Sequence, residues 1–445
     1  MLRKSASGAI LSFSPITRAG WLIAVLVIML LAGCATRSET PPQPEPVSTA
    51  QPTAAPAAAP TADAGEPDGT EPRPLTVWLP AELVPGEMEG SYLDVAIQAF
   101  ENQQSGRQVR IQPKGMTGAG GMLGLLLATY AAAPALMPDL ALVDAADLPR
   151  LAEAGIAYPL DPYLPKDTWQ VIYALALRKD QDHMAVPYLT DPLILAYDTA
   201  SHATPPRSWA ATMPGTSQMA FPAAVPVGDL SDAFMLQYTA LGGIFNDGST
   251  ATLDLSKTGQ VLRTLDAYIT NKVVTASSLE MSTYQDCADA LQRNQVNLAV
   301  LPYSVYRANR FSAGGVGIAT VPTINGKPAT LTRTLVWVVT TADAERRTLA
   351  LDYLRLMLAP ELAAQCAGEC LLLPAQRQAL ELAVSDAQQR ALFETLLATA
   401  DTLPDGRAQQ VIRPLIGQAV DGVLRQQVSP EEATESLGKA IEAMR

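Results

Sequence analysis

From residue 75 onwards, the hydrophobic pattern alternates between the period of a strand and the period of a helix. Residues 75–79 form a β-rich run between two prolines and predict a strand, whereas Tyr92 and Phe100 belong to an apolar stripe at helical spacing. A strand at 109–111, a glycine-rich turn, an apolar helix and a strand at 140–143 follow. This order predicts a parallel α/β sheet that binds ligands at the carboxyl ends of its strands.

The same alternation returns in the second half of the chain. Runs at 297–301 and 335–339 are continuously apolar, as is typical of central strands, and residues 261–269 follow the helical period. Near the C-terminus, a capping residue, a first-turn proline and a third-position glutamate predict the start of the last helix. These residues are Ser429, Pro430 and Glu432.

The glycine-rich turn at 115–121 follows one predicted strand and opens a helix. Its spacing differs from the dinucleotide-binding pattern, and the lysine that a phosphate-binding loop needs is missing. The turn is therefore interpreted as a tight strand-to-helix connection. The alternative is a set of backbone N–H groups that face a polar group of a ligand.

The N-terminus has the pattern of a secretion signal. Arg3, Lys4 and Arg18 accompany an apolar run at 21–31, which is short for a membrane span of roughly 20 residues. The run ends at Leu-Ala-Gly-Cys34, which resembles a bacterial lipobox. This resemblance implies a signal peptide at 1–33 and a lipidated Cys34 that tethers the protein outside the cytoplasmic membrane. The alternative is an ordinary signal peptide with a chance cysteine.

Residues 34–74 are rich in Pro, Ala, Thr and Glu, with Val47 the one large aliphatic residue after Cys34 and before the final proline. Such a composition predicts a disordered spacer. The remaining body exceeds the ~250–300 residues at which single hydrophobic cores stop growing, so two lobes are expected.

The formal net charge of the 445-residue chain is −13. Signal removal takes three cations and no acid, which leaves about −16. Basic residues are scattered, so neither nucleic acid nor an anionic lipid surface is an expected partner.

The cysteines leave two interpretations open. Cys366 and Cys370 are close enough in sequence to form a disulfide in an oxidising compartment, while Cys287 is expected to be a buried thiol. A metal site is not expected, because the chain contains just two histidines, His183 and His202.

Common enzymatic signatures are missing from the sequence. The chain has no Gly-x-Ser-x-Gly elbow, no His-Glu-x-x-His and no phosphate-loop lysine, and no cofactor is expected. The 44 acidic residues still permit a pair of carboxylates in one cleft, so a cell-surface hydrolase stays an alternative.

Several short sequence patterns occur along the chain in the order in which a known protein family has them. They include Pro-Asp-Leu at 138–140, Ala-Val-Pro-Tyr at 185–188, Leu-Ala-Tyr-Asp at 195–198 and Pro-Pro-Arg-Ser-Trp at 205–209. Together, residues 75–445 resemble the extracellular solute-binding proteins of bacterial ABC importers, a family that includes maltose-binding proteins. Asp198 replaces the asparagine usual in the family.

The resemblance implies a type II periplasmic-binding-protein fold. Two parallel or mixed sheets flanked by helices would form one lobe from 75–195 and 325–370, and another from 196–324 and 371–445. Hinge strands are expected at 188–197 and 330–339. The expected function is capture of a small polar solute, above all a sugar or oligosaccharide, by hinge closure and its delivery to an ABC permease. We expect the protein to be a monomer and not an enzyme. A sensor or scaffold role is an alternative.

Sugar sites combine aromatic faces with carboxylates and amides, and loops at the cleft mouth supply the candidates. The candidate ligand-binding residues are Trp78, Glu82, Glu87, Met116, Thr117, Asp144, Thr190, Asp191, Asp229, Tyr303, Tyr306, Arg333 and Gln410. Each has a plainer interpretation, since the aromatic residues suit a core and the acids suit a solvated loop.

Two observations leave the ligand class open. Aromatic residues make up 6% of the chain, and none follows Phe393, where relatives often stack a ring on the sugar. The planar fork of Arg333 would also suit a carboxylate or a phosphate. A small polar or anionic solute is therefore an alternative to a sugar.

Overall fold

The computed structural model describes residues 73–118, 120–160, 162–164, 184–213, 215–224, 231–244, 253–401 and 407–443. Of residues 312 and 407–411 it describes the backbone alone. Within these ranges, no helix combines the length and the apolar character that a membrane crossing requires. The predicted signal peptide, Cys34, the spacer up to residue 72, His183, Asp229 and the Gln410 side chain lie outside the described residues.

Strands and helices alternate along the described chain. The strands are β1 (Leu75–Pro80), β2 (Val109–Lys114), β3 (Leu140–Asp144), β4 (Val186–Asp198), β5 (Met219–Ala220), β6 (Leu298–Pro302), β7 (Val316–Ala319), β8 (Thr330–Val339), β9 (Leu373–Pro374) and β10 (Ala400–Asp401). The α-helices are α1 (Tyr92–Gln103), α2 (Met122–Ala132), α3 (Leu148–Glu153), α4 (Trp209–Thr212), α5 (Asp232–Ala240), α6 (Leu255–Thr270), α7 (Tyr284–Gln292), α8 (Tyr303–Ala308), α9 (Ala344–Met357), α10 (Pro360–Glu369), α11 (Arg377–Ala383), α12 (Ala387–Thr399), α13 (Arg407–Leu424) and α14 (Pro430–Glu442). Short 3₁₀ turns lie at Ala81–Leu83, Pro134–Leu136, Ala145–Asp147, Ser278–Glu280 and Phe311–Ala313.

The first sheet begins with the strands that the sequence predicts. Strand β1 lies between β2 and β3 and is parallel to both, so the three strands end at one edge. Strand β8 then pairs antiparallel with β3, and β4 pairs antiparallel with β8. The predicted strands at 75–79, 109–111 and 140–143 are confirmed. The complete sheet is mixed, not parallel, because β8 is antiparallel to β3 and β4.

Strand β4 belongs to two sheets. Its first part, up to Pro192, pairs with β8 in the first sheet, while Leu193–Asp198 pairs with β6 and β7 in a second sheet. Strand β5 extends the second sheet parallel to β6. The strands predicted at 188–197 and 330–339 therefore exist as β4 and β8, and β4 connects the sheets.

Alternate side chains of β4 enter different hydrophobic cores. Ile194 belongs to a large core that extends under both sheets, whereas Leu195 belongs to a core between the second sheet and helices α5, α6, α13 and α14. A third core, with Val143 and Val338, covers the opposite face of the first sheet. Burial on both faces explains why these strands are continuously apolar in sequence.

The glycine-rich turn connects β2 to α2 through its own backbone hydrogen bonds. The Gly121 amide donates to the Gly118 carbonyl at 2.9 Å, and the Met122 amide donates to the Gly115 carbonyl at 2.8 Å. A Cβ atom on Gly121 would lie 2.8 Å from the Met116 carbonyl oxygen, so the turn requires glycine there. These contacts favour the tight-turn interpretation.

The last helix begins as the sequence predicts. The Ser429 hydroxyl accepts from the Glu432 amide at 3.2 Å, and the Glu432 carboxylate accepts from the Ser429 amide at 3.1 Å. Pro430 occupies the first turn, where its missing N–H costs nothing. The predicted capping box is confirmed.

The start of β1 is tied to its surroundings by a buried ion pair. Asp139 accepts from the Thr76 amide at 2.8 Å and receives two hydrogen bonds from the Arg346 guanidinium, one from Nε at 2.6 Å and one from Nη2. Arg346 also donates to the Pro74 carbonyl at 2.8 Å. We call Thr76, Asp139 and Arg346 the clamp. It holds the first residues of the body against β3 and α9.

The possible disulfide between Cys366 and Cys370 is not formed in the structure, where both residues are free thiols. Cys366 lies inside α10 beside the Cys370 thiol and the Tyr92 and Tyr188 hydroxyls, and the Cys370 sulfur also contacts the Leu83 carbonyl at 3.9 Å. The two thiols are therefore neighbours that are not bonded to each other. Cys287 is a buried thiol, as predicted, and burial raises its pKa to about 12.

Candidate functional site

Strands β4 and β8 each carry one charged, incompletely buried side chain at the point where they pair. Strand β8 is buried along its length apart from Arg333, and Asp191 is the first residue of β4 that is not buried. The two residues are register partners in the antiparallel ladder. Both positions were predicted, and a charged pair at this point marks a surface that the sheets leave open.

Arg333 joins two acidic residues from different strand ends. Its Nε donates to Asp144 Oδ2 at 3.1 Å, and its Nη2 donates to Glu82 Oε1 at 3.3 Å. Asp144 ends β3, and Glu82 lies in the 3₁₀ turn after β1. The pairing of β1 with β3 and of β3 with β8 therefore brings three of the predicted residues into one network.

Asp191 is held from the side of the second sheet. Its Oδ1 accepts from the Ser304 amide at 2.9 Å, and its Oδ2 accepts from the Ser304 hydroxyl at 2.6 Å. Burial raises the pKa of the Asp191 carboxyl above its ordinary value, although the Ser304 hydrogen bonds and the nearby Arg333 charge oppose this effect. Asp191 is thus a positioned acceptor in a partly dehydrated place.

A cavity of about 390 Å³ opens between these groups. Its walls are formed by residues of β3, β4, β6 and β8, of the 3₁₀ turn after β3, and of helices α5 and α7. Its lining residues are Asp144, Ala146, Asp191, Leu193, Asp232, Tyr284, Pro302, Leu331, Thr332 and Arg333. A volume of this size suits a small organic ligand.

Tyr284 and Asp232 complete one wall. The Tyr284 hydroxyl donates to Asp232 Oδ2. Burial raises the pKa of Tyr284 well above its ordinary value, and the Asp232 carboxylate acts in the same direction. Tyr284 therefore keeps its proton and remains a hydrogen-bond donor at neutral pH.

The structure places the other predicted aromatic residues in cores. Trp78 is 4% exposed and packs in the third core beneath Lys114, whose Nζ lies 4.5 Å from the ring centroid. Tyr303 packs edge-on against Phe393, with ring centroids 4.8 Å apart, and the Tyr306 hydroxyl donates to the Val316 carbonyl at 2.9 Å. None of these three rings lines the described cavity.

The remaining predicted residues are spread around the site. Thr190 is buried and shares a hydrogen bond with the Thr332 hydroxyl, beneath the cavity wall. Glu87 and Thr117 are exposed, and Met116 is half-buried between two cores. None of these four residues is among the lining residues of the cavity.

Comparison with known families identifies the chain. The family model of the bacterial extracellular solute-binding protein matches residues 95–392. The chain belongs to this family.

Solved structures with the same fold include sugar-binding proteins. One is a cyclic α-maltosyl-1,6-maltose binding protein from Arthrobacter globiformis, with a TM-score of 0.67 and 20% identity over 84% of this chain and 98% of that one. Another is the GacH receptor of Streptomyces glaucescens, with a TM-score of 0.61 and 19% identity over 82% and 97%. A third is the Thermus thermophilus maltotriose binding protein, with a TM-score of 0.59 and 16% identity over 83% of this chain and 100% of that one.

These similarities establish the fold class of this solute-binding protein as the type II periplasmic-binding-protein fold, as the sequence predicts. No curated protein sequence matches the chain significantly. Membership of the family also places the protein's activity outside the cytoplasmic membrane.

Sequence reasoning missed two lining residues of this solute-binding protein, Asp232 and Tyr284, and also Ser304, which holds Asp191. Asp232 and Tyr284 each open a helix, and Ser304 is the second residue of α8. A signal was present for Ser304, because it follows the same strand end that suggested Tyr303. Asp232 and Tyr284 carry no local signal, since their approach to Asp191 depends on how α5 and α7 pack.

A larger cavity of about 630 Å³ lies elsewhere, between α12 and the loops at 205–207 and 326–328. None of the predicted ligand-binding residues whose side chains the structure describes lines it. The smaller cavity is the better candidate because β4 and β8 both line it with their charged residues, Asp191 and Arg333. In the described ranges, no group of three or more His, Cys, Asp and Glu side chains is arranged to hold a metal ion.

Proposed function

We propose that this protein captures a sugar or oligosaccharide in the cavity between β4 and β8 and delivers it unchanged to an ABC permease. The observation that carries the proposal is the convergence of Asp191, Arg333 and Asp144 on one 390 Å³ cavity, where β4 passes from one sheet to the other. The sugar-binding proteins with the same fold support it.

The lining suits the hydroxyl groups of a sugar. Asp144 and Asp191 offer carboxylate oxygens as acceptors, and such charge-assisted hydrogen bonds are stronger than neutral ones. A guanidinium has five N–H donors, so Arg333 keeps donors for a ligand beyond its bonds to Asp144 and Glu82. Tyr284 adds an aromatic ring to the wall, where it can contact the apolar side of a sugar.

The proposed capture step is a hinge closure. The proposed lobes are 75–195 with 325–370, and 196–324 with 371–445, and β4 and β8 would be the hinge strands between them. A ligand that contacts Asp191 and Arg333 together with groups of both lobes binds the closed form more tightly and shifts the population towards it.

The proposed setting is the outer face of the cytoplasmic membrane. A lipidated Cys34 and the 34–74 spacer would tether a monomeric body there, within reach of the permease. Mass spectrometry of the membrane-extracted protein tests the anchor. A mature chain that begins at Cys34 with added acyl mass supports it, and an unmodified soluble chain contradicts it.

Thermal unfolding of the full chain in detergent tests capture. Maltose, maltotriose, polyols and organic acids form the panel. A true ligand at 100-fold above its dissociation constant adds about 2.7 kcal/mol to the free energy of unfolding. Hydrolysis of the stabilising compound would indicate the hydrolase instead, and a flat response to the whole panel would favour a sensor or scaffold.

A further inference from the structure

The cavity carries more negative than positive charge. Among the lining residues that the structure describes, Asp144, Asp191 and Asp232 are acidic, and Arg333 is the one basic residue. Glu82 adds another carboxylate beside the Arg333 guanidinium. A ligand that fills this cavity therefore meets an excess of carboxylates.

The cation of the cavity is already engaged by acids on its own side. Arg333 Nε and Nη2 bind Asp144 at 3.1 Å and Glu82 at 3.3 Å. An anionic ligand would have to compete with both carboxylates for the same guanidinium. This arrangement disfavours the carboxylate or phosphate ligand that the planar fork of Arg333 alone would suit.

Asp191 has a different set of partners. Both of its oxygens accept from Ser304, once from the amide and once from the hydroxyl, so these donors are neutral. Neutral donors satisfy its hydrogen-bonding capacity in part, and the nearby Arg333 charge, which Asp144 and Glu82 share, compensates its charge only in part. A cationic group of a ligand would supply both a further donor and a second positive charge for these carboxylates.

The aromatic residue in the cavity wall also favours a cationic ligand. Tyr284 lines the cavity together with Asp191, and an aromatic ring attracts a cation near its face. From these observations we propose that the preferred ligand is an amino sugar, whose protonated amine binds beside Asp191. This inference rests on the proposed function, because it specifies the ligand class of the same cavity.

A matched pair of disaccharides tests the inference by isothermal titration calorimetry on the full chain. The β-1,4-linked glucosamine disaccharide differs from cellobiose by an ammonium in place of a hydroxyl on each ring. We expect at least tenfold tighter binding of the amino disaccharide at low salt, and a smaller preference as salt screens the charges. The N-acetylated disaccharide, which lacks the cation, should lose this preference.

Two variants locate the effect. Asp191→Asn keeps the size of the side chain and removes its charge, so the preference for the amine should fall to within threefold of cellobiose. Glu381→Gln, an exposed acid on α11, is the matched control and should leave both affinities unchanged. The salt dependence of the unmodified protein keeps the inference testable if Asp191→Asn folds poorly.

The outcomes separate the two proposals. Equal or tighter binding of cellobiose or maltose overturns the amino-sugar inference and leaves sugar capture standing. Failure of every neutral and amino sugar to bind overturns both. An amine preference that Asp191→Asn retains in full also overturns the inference, because the charge would then act elsewhere.

Discussion

Strand β3 has an aspartate–arginine pair at each end, and the two pairs differ in almost every other respect. At the entry of the strand, the Arg346 and Asp139 side chains are 13% and 2% exposed. At its exit, the Arg333 and Asp144 side chains are 44% and 22% exposed. The first pair belongs to the clamp, and the second lies in the cavity.

The same two residue types have different partners in the two pairs. In the clamp, Asp139 accepts from a backbone amide and a guanidinium, and Arg346 also binds a backbone carbonyl, so protein groups satisfy the pair. In the cavity, Arg333 divides its hydrogen bonds between two carboxylates and keeps an open side. Groups with spare bonding capacity beside a cavity are available to a ligand.

The largest expected effect comes from breaking the clamp. Asp139→Ala leaves the Arg346 guanidinium without its carboxylate in a buried place, and removal of one partner of a buried pair typically costs about 3–5 kcal/mol. Urea unfolding measures this change. Glu345→Gln, which removes an exposed partner of Arg107, is the control and should cost about 0–1 kcal/mol. Equal effects of the two variants would remove the distinction between the pairs.

A medium effect is expected from Arg333→Gln, and on binding rather than stability. Because the pair is exposed, the free energy of unfolding should change by at most about 1 kcal/mol. The affinity for a neutral disaccharide should fall about tenfold, or about 1.4 kcal/mol, since Asp144 and Glu82 lose the group that orients them. Calorimetry on the variant checks this, and an unchanged affinity would place the ligand elsewhere.

The smallest effect concerns pH. Burial raises the pKa of Asp191 in the folded protein, so between its ordinary value and the raised one the folded chain holds more protons than the unfolded chain. Stability contributed by this group is therefore greatest at low pH and falls as pH rises through that window. Unfolding of the protein and of Asp191→Asn from pH 4 to 7 should show the protein losing stability relative to the variant. The opposite slope would contradict the assigned burial effect.

Much of the fold could be predicted because its signals are local. The strand at 75–79 is observed at Leu75–Pro80, and the apolar run at 335–339 lies inside the strand observed at Thr330–Val339. The start of α14 at Ser429 follows from contacts within four residues. The mixed character of the first sheet was harder to predict, because strand direction depends on pairings between distant segments.

The candidate site was predicted in part. Asp144 and Arg333 were found because residues beside the predicted strands were expected to lie at the mouth of the cleft, although Arg333 lies inside β8. Tyr303 and Tyr306 show the limit of this reasoning, because an aromatic ring suits a core and a cleft equally well by sequence. Their burial follows from packing of α8 against Phe393 and the adjacent 3₁₀ turn.

The sequence by itself determined the order and type of the strands and helices, since periodicity and capping act between neighbours in the chain. Only the tertiary structure decided which charged groups meet. Arg333 lies 189 residues from Asp144 and 251 from Glu82, and their contacts depend on the register of β8 beside β3 and of β3 beside β1. Such long-range pairing is set by the packing of whole strands, which no local pattern records.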